Sequence, residues 1–193
     1  MRDQFHDDLA EIGQTLVQLS KLVKTAMSQA STALLTADLA VAEKVIQEDD
    51  VIDNIQHELD AKTIGLMARQ QPVASDLRTL VTSLRMSADL ERMGDLANHI
   101  AKQARMRYPN SAVPPELSLT IQEMGNVCGQ IVDKVSLILQ NRDAEKALEI
   151  EKDDDAMDIL HRKIIATLLD PKWPHGVETA IDMTLLEIGR AHV

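Results

Sequence analysis

Glu91 and Asp95 are the side chains whose type and spacing first suggest chemistry in this sequence. Four residues make about one turn of an α-helix, so both carboxylates project from one face with their Cβ atoms about 5–6 Å apart. Two acids placed in this way repel each other unless a cation or another helix compensates their charge. The pair is therefore a candidate site for a hard metal ion, which prefers carboxylate oxygens as ligands.

The same four-residue spacing of acids recurs in two other acidic segments. The first segment superposes on the second without gaps, pairing Asp49, Asp50 and Asp53 with Asp154, Asp155 and Asp158. Hard cations such as Mg²⁺, Ca²⁺, Mn²⁺ or iron favour clustered carboxylates, so two facing pairs could hold one or several ions. The alternative is that these acids form a solvated face, as most charged residues do.

Other residues that could bind a metal or act in catalysis give weaker signals. His99 and His161 follow Asp95 and Asp158 by four and three residues, and a lone histidine is more often a surface residue than a ligand. The sequence contains no glycine-rich phosphate loop, no nucleophile elbow and no Cys/His pair with a third orienting group. We therefore predict that the protein is not an enzyme.

The composition favours helices packed on helices. Hydrophobic residues make up 45% of the 193 residues but aromatic residues only 2%, so the core must consist of aliphatic side chains, Ala and Met. The net charge of −11 argues against nucleic acid as a partner, because phosphates require Lys and Arg. The single cysteine, Cys128, predicts a reducing compartment and a small core residue. Without a spanning apolar run or a signal peptide, we expect a cytoplasmic protein that does not insert into membranes.

Apolar periodicity predicts three long helices before residue 108. The first has a seam with 3–4 spacing and ends near Thr36, where Asp38 can cap the next helix. The second helix ends near Gln71, and Pro72 is predicted to start a third helix that runs to about Arg107. The seam of the first helix comprises Phe5, Leu9, Ile12, Leu16, Leu19, Val23, Ala26 and Ala30.

The third helix carries two apolar stripes. One stripe turns polar partway, which is unusual for a simple solvated face, whereas the neighbouring stripe supplies the packing there. The first comprises Leu77, Val81, Leu84 and Ala88 and continues into Glu91, Asp95 and Asn98, and the second comprises Leu90, Met93, Ala97, Ile100 and Ala104.

The helical pattern restarts after a proline-containing linker, which indicates an internal duplication of a three-helix unit. We predict an all-α fold of two tandem three-helix bundles. The first repeat covers residues 1–108, the linker covers residues 109–115, and the second repeat covers residues 116–193, with breaks near Asp143 and Pro171.

These motifs together resemble the PhoU family of regulators of bacterial phosphate uptake. The most specific segments run from Gln71 to Arg78 and from Asp89 to Asp95, followed by Asn98. The resemblance implies two symmetric three-helix bundles, a homodimer, and metal clusters (Mg, Mn or Fe) on Glu/Asp-x-x-x-Asp motifs. The implied metal ligands are Glu91, Asp95, Asp49, Asp50, Asp53, Asp154, Asp155 and Asp158.

The same resemblance implies a function and partners. The protein would be a negative regulator of the phosphate-starvation response and of phosphate transport. It would contact the ATPase subunit of the phosphate transporter and a phosphate-sensing histidine kinase. The residues themselves leave two alternatives open: a ferritin-like di-metal carboxylate protein, for which only Asp158 and His161 approach the required pairing, and a helical scaffold that binds no metal.

The end of the sequence departs from the family pattern. Aligning Leu84 with Leu186 places Val193 where the glutamate of a second Glu-x-x-x-Asp helix would stand, so we expect the sixth helix to be truncated and that motif to be absent. The tail from Glu187 to Val193 also back-translates into a widely used sequencing-adapter sequence. We therefore expect adapter read-through, although the segment from Glu187 to Ala191 also fits the family sequence. A genomic locus that encodes His192-Val193-stop would contradict the read-through.

Overall fold

Helices account for all the regular secondary structure in the part of the chain that the computed structural model describes, residues 2–141 and 143–187. This confirms the predicted all-α class. The expectation for the adapter-like tail concerns residues 188–193, which lie outside the described part. The helices are α1 (Arg2–Thr36), α2 (Leu39–Gln70), α3 (Ala74–Arg107), α4 (Pro115–Asn141), α5 (Ala144–Leu168) and α6 (Val177–Glu187).

Side-chain caps begin two of the helices, α2 and α5. The carboxylate of Asp38 accepts a hydrogen bond from the Val41 N–H at 3.1 Å, and Asp143 accepts one from Lys146 at 3.2 Å, so both residues cap the helices that follow them. The prediction that Pro72 starts α3 is wrong. Gln71 is left-handed (φ 45°) and Val73 is extended (φ −128°, ψ 161°), so the turn delays the helix until Ala74.

Two later boundaries also differ by one or two residues. Helix α4 begins at Pro115, the residue predicted to end the linker, because a proline costs nothing in the first turn. Helix α6 begins at Val177 rather than near His175, since Pro174 and Gly176 disfavour a helix before it.

One large hydrophobic cluster is shared by all six helices. It includes Met27 of α1, Val45 of α2, Leu117 of α4, Ile164 of α5 and Met183 of α6, together with several alanines of α3. Helix α1 packs against α2 and α3 and also against α4, so it belongs to the core of both halves. The predicted division into two repeats stays a prediction, because the apolar packing continues across the linker.

The two stripes of α3 have different environments. Leu90, Ala97 and Ala104 of the second stripe are buried, and Met93 and Ile100 pack against the core clusters. In the first stripe, Leu77 is 39% exposed and Ala88 is exposed. The second stripe therefore forms the core face of α3, whereas the first begins on its outer surface.

Charged and polar side chains link helix α6 to α3, beside the apolar contact of Met183. Asp182 is buried and accepts a hydrogen bond from Gln103 Nε2 at 2.6 Å. The Arg107 guanidinium lies 2.7 Å from the other oxygen of Asp182 and also pairs with Glu178. No helix of the described residues is both long enough and apolar enough to cross a bilayer.

Candidate metal centre

Gly94 brings α2 and α3 together at the level of the predicted acid pairs. A Cβ atom added at Gly94 would lie only 3.0 Å from Cγ2 and 3.1 Å from Cδ1 of Ile52. The residue that faces Ile52 must therefore lack a side chain for the helices to keep this separation. Because Asp53 and Asp95 directly follow Ile52 and Gly94, the close contact also fixes the distance between the two acid pairs.

Four of the predicted ligands form one acid cluster, which we define as Asp49 and Asp53 of α2 with Glu91 and Asp95 of α3. Burial is the main cause of the raised pKa of Asp49, and the charges of Asp53 and Asp95 raise it further. Burial likewise raises the pKa of Glu91, with additional contributions from Asp95, Asp53 and Asp49. The acid cluster is thus a region of crowded negative charge that Lys102 and His57 offset only in part, and a cation would stabilise it.

Asn98 is the buried polar group of this region. Its side chain is only 5% exposed, and its Nδ2 atom donates a hydrogen bond to Asp49 Oδ2, which opposes the upward shift of the Asp49 pKa. The Oδ1 atom of Asn98 is buried and has no hydrogen-bond partner among the described residues. An acceptor oxygen in this state is unusual in a native core and is suited to a donor or a cation.

Two further residues extend the site, and the sequence prediction missed both. His57 lies one turn after Asp53, donates a hydrogen bond from Nδ1 to the Asp53 carbonyl at 2.8 Å, and lowers the pKa of Glu91 through its charge. Asp60 accepts a hydrogen bond from the Ser87 hydroxyl of α3 at 2.6 Å. The signal available in the sequence was the helical spacing of both residues from Asp53.

The remaining predicted ligands lie elsewhere or face water. Asp50 is exposed on α2, and Asp154 and Asp155 are exposed on α5. Asp158 is half-buried, and Arg162 donates a hydrogen bond to it at 3.4 Å. All the acids that raise the pKa of Asp49 and Glu91 belong to the acid cluster, so the structure brings together four of the eight predicted ligands.

The carboxylates of the acid cluster are the ligand type that a hard cation prefers, but their positions do not form a closed metal site. In residues 2–141 and 143–187, no three His, Cys, Asp or Glu side chains converge closely enough to hold a metal ion. His99 is exposed, and His161 is half-buried on α5. The eight-residue ligand set therefore stays a prediction.

Comparison with known proteins identifies the family. The model of the PhoU domain matches residues 16–104 and 121–189, which is most of the chain. The chain belongs to the PhoU family. The first matched segment contains residues 49–53, and the second contains residues 154–158, the acidic segment that superposes on residues 49–53.

Curated relatives agree with this assignment, and a solved structure shares the fold. The chain is 41% identical over 186 residues to "Phosphate-specific transport system accessory protein PhoU homolog 2" of Mycobacterium tuberculosis, covering 96% of this chain and 87% of the relative. It is 36% identical to the PhoU homolog of Clostridium acetobutylicum, covering 88% and 77%. The fold matches the crystal structure of PhoU from Pseudomonas aeruginosa with a TM-score of 0.84 at 24% identity, covering 96% and 89% of the two chains.

Proposed function

We propose that this protein regulates phosphate transport as an accessory protein and represses the phosphate-starvation response. The observation that carries the proposal is the 41% identity, over 96% of the chain, to a curated phosphate-specific transport system accessory protein. At the level of the fold, it matches a phosphate transport system regulatory protein of Streptococcus pneumoniae with a TM-score of 0.82. It acts by binding and not by catalysis.

The proposed partners are the ATPase subunit of the phosphate transporter and a phosphate-sensing histidine kinase. Both would be met in the cytoplasm, where the chain would act as a homodimer. The long helices support such a role because they offer extended surfaces on a rigid bundle.

We further propose that the acid cluster binds a divalent or ferric ion (Mg, Mn or Fe). Two observations support a cation there: the raised pKa values of Asp49 and Glu91, and the buried Asn98 oxygen without a hydrogen-bond partner. Asp49, Asp53, Glu91 and Asp95 would hold the ion, and bound metal would neutralise their repulsion. The proposed ligand set is completed by Asp50 of the first half and by three acids of the second half, Asp154, Asp155 and Asp158.

Complementation tests the regulatory function. The gene is expressed in a bacterial strain that lacks its own PhoU gene, and a phosphate-starvation reporter and phosphate uptake are measured in phosphate-rich medium. We expect the reporter to be repressed and uptake to be restrained. A reporter that stays fully active while the protein is present and folded contradicts the proposal.

Metal binding is tested separately by calorimetry with Mn²⁺, Mg²⁺ and Fe³⁺. We expect the double variant Glu91→Gln/Asp95→Asn to lose binding at the acid cluster. The control is Glu145→Gln/Glu149→Gln, which removes two exposed acids with the same four-residue spacing from α5. If the Glu91/Asp95 variant binds metal like the parent, the site assignment is wrong.

A regulator that binds no metal is the second candidate. It is favoured by the absence of any three converging metal-binding side chains in the described residues. In that case the parent shows no metal-dependent heat in calorimetry and no change in melting temperature when metal is added, yet complementation succeeds.

A further inference from the structure

The outer surface of α3 carries two parallel stripes that the fold and the acid cluster leave unused. We call the two stripes together the α3 outer face. The apolar stripe comprises Leu77, Val81, Leu84 and Ala88, and the basic stripe comprises Arg78, Arg85 and Arg92.

The apolar stripe is accessible along its length. Leu77 is 39% exposed, Ala88 is exposed, and Val81 and Leu84 are half-buried. None of the four packs against the hydrophobic clusters formed by the described residues. The rest of the fold therefore covers this one-sided apolar line of about three turns only in part.

The basic stripe is exposed and unpaired. Arg78, Arg85 and Arg92 are seven residues apart, so they follow one line and span about 21 Å of the helix axis. None of the three forms an ion pair within the described part of the chain. Three aligned arginines without an ion pair among the described residues stand out on a chain with a net charge of −11.

We propose that the α3 outer face binds an amphipathic helix of a partner protein, one whose apolar side chains are flanked by Asp or Glu. The leucines and Val81 would cover the apolar side of that helix. Arg78 and Arg85 directly follow Leu77 and Leu84 of the apolar stripe, and Arg92 follows Glu91, which continues the stripe. Arg is also the cation best suited to carboxylates, because it forms bidentate pairs. This inference goes beyond the proposed function, since it depends neither on metal nor on a phosphate transport partner.

Charge decides against a second copy of this chain as the occupant. Two copies that met through this face about a two-fold axis would place one basic stripe against the other. The like charges would then be brought together, and Asp89, which lies on the same line between Arg85 and Arg92, offsets them only in part.

Charge also decides against a membrane surface. Glu91 and Asp95 continue the apolar stripe, and Asp89 lies between Arg85 and Arg92. A flat anionic lipid surface would meet all three of these carboxylates at once. A single acidic helix can lie along the basic stripe, with Glu91 and Asp95 beyond the end of the apolar stripe.

The test uses two synthetic helical peptides of about 20 residues, or about 30 Å of helix, with leucines at 3–4 spacing. One peptide carries Glu beside the leucines and the other carries Lys at the same positions. Fluorescence anisotropy of labelled peptide with the whole chain is expected to show binding of the Glu peptide only. Binding should weaken as salt is raised, because the charges are screened.

Two variants separate the stripes from general charge effects. Arg78→Gln/Arg85→Gln/Arg92→Gln is expected to weaken binding of the Glu peptide by at least about tenfold, and Leu84→Gln is expected to weaken it without a change in charge. The control Lys21→Gln/Lys163→Gln/Lys172→Gln removes the same charge from other exposed positions and should bind like the parent.

Several results would overturn the proposal. These are no binding of the Glu peptide, equal binding of the Lys peptide, or equal binding by the arginine variant. Binding to phosphatidylglycerol vesicles that the arginine variant loses would assign the face to a membrane instead. Self-association in sedimentation that the arginine variant loses would assign it to a second copy.

Discussion

Gly94 of α3 lies directly against the side chain of Ile52 of α2, and an added Cβ would meet that side chain at 3.0 Å. This contact sets the separation of the two helices that carry the acid cluster. It also explains why the hydrogen bond between Asn98 and Asp49 can form one turn further along α3.

Gly94→Ala should destabilise the fold, although alanine has the higher helix propensity. The methyl group must displace Ile52, and overpacking of this kind costs about 1–3 kcal/mol. Chemical denaturation measures the loss. The control is Gly129→Ala, where an added Cβ meets nothing within 4 Å and the change should stabilise by about 0.5–1 kcal/mol. Equal effects at the two glycines would contradict the close-contact interpretation.

Asn98→Asp should destabilise the α2–α3 interface at neutral pH. The change removes a buried donor and places a second carboxylate beside Asp49, and an unsatisfied buried group costs about 1–3 kcal/mol. The loss should shrink as the pH falls, because protonation of either carboxyl group ends the repulsion and restores a donor. Urea denaturation at two pH values measures both effects.

The exchanged pair provides the control for this prediction. Asp49→Asn/Asn98→Asp again places one amide against one carboxylate, so it should recover most of the lost stability. A double variant that is no more stable than Asn98→Asp alone would show that the hydrogen bond is not the cause.

These two predictions also mark the limit of sequence reasoning here. Asp38 could be predicted as a cap because capping involves residues three apart, and the buried stripe of α3 follows from helical periodicity alone. For Asp143 the sequence predicted only a helix break, although this residue caps α5 in the same way. The contact between Gly94 and Ile52 depends on which faces of two separate helices meet. The attachment of Asp182 to Arg107 likewise joins residues far apart in the sequence, so no local pattern indicates it.

Glu91→Gln should stabilise the metal-free protein at pH 7. Burial first, and then the charges of Asp95, Asp53 and Asp49, raise the pKa of Glu91 in the folded state above its ordinary 4.5. When a carboxyl pKa is higher in the folded state, ionisation of the group lowers the free energy of unfolding. This loss of stability is absent at pH values below the ordinary pKa, develops as the pH rises through the folded-state pKa, and is complete above the folded-state pKa. The glutamine avoids this loss, and each like-charge pair at one-turn spacing costs about 0.2–0.5 kcal/mol.

Thermal unfolding with a chelator present, from pH 7 down to pH 4, measures this effect. The gain of the glutamine variant should be largest at pH 7 and should vanish near the ordinary pKa. Glu145→Gln on the exposed surface of α5 serves as the control and should show no comparable gain. A gain for Glu91→Gln that is the same at every pH would mean that charge repulsion is not its source.

Asp182→Asn should loosen α6 without unfolding the first three helices. Asp182 is 5% exposed and is the main acceptor for Arg107 and Gln103 of α3. Charge-assisted hydrogen bonds are stronger than neutral ones, so their loss should reduce amide protection in α6 by roughly tenfold. Hydrogen exchange resolved by segment measures the change.

The exposed ion pair between Arg162 and Asp158 gives the matched control for α6. Arg162→Gln breaks a 3.4 Å contact at a side chain that is 75% exposed, and such pairs contribute little. Exchange in α6 should therefore stay at the parent level. If Asp182→Asn also leaves α6 unchanged, apolar contacts such as that of Met183 hold the helix in place.

Cys128 should be far less reactive in the folded protein than in the unfolded chain. Burial raises the pKa of its thiol from 9.0 to about 11. Because the thiolate is the reacting species, a rise of this size lowers its fraction at pH 8 by about 100-fold. Alkylation by iodoacetamide, followed by mass spectrometry with and without urea, should show this contrast, and the native rate should keep rising up to about pH 11. Fast native alkylation at pH 8 would contradict the buried-thiol interpretation and would mean that α4 separates from α1 often enough to expose the groove that Cys128 lines.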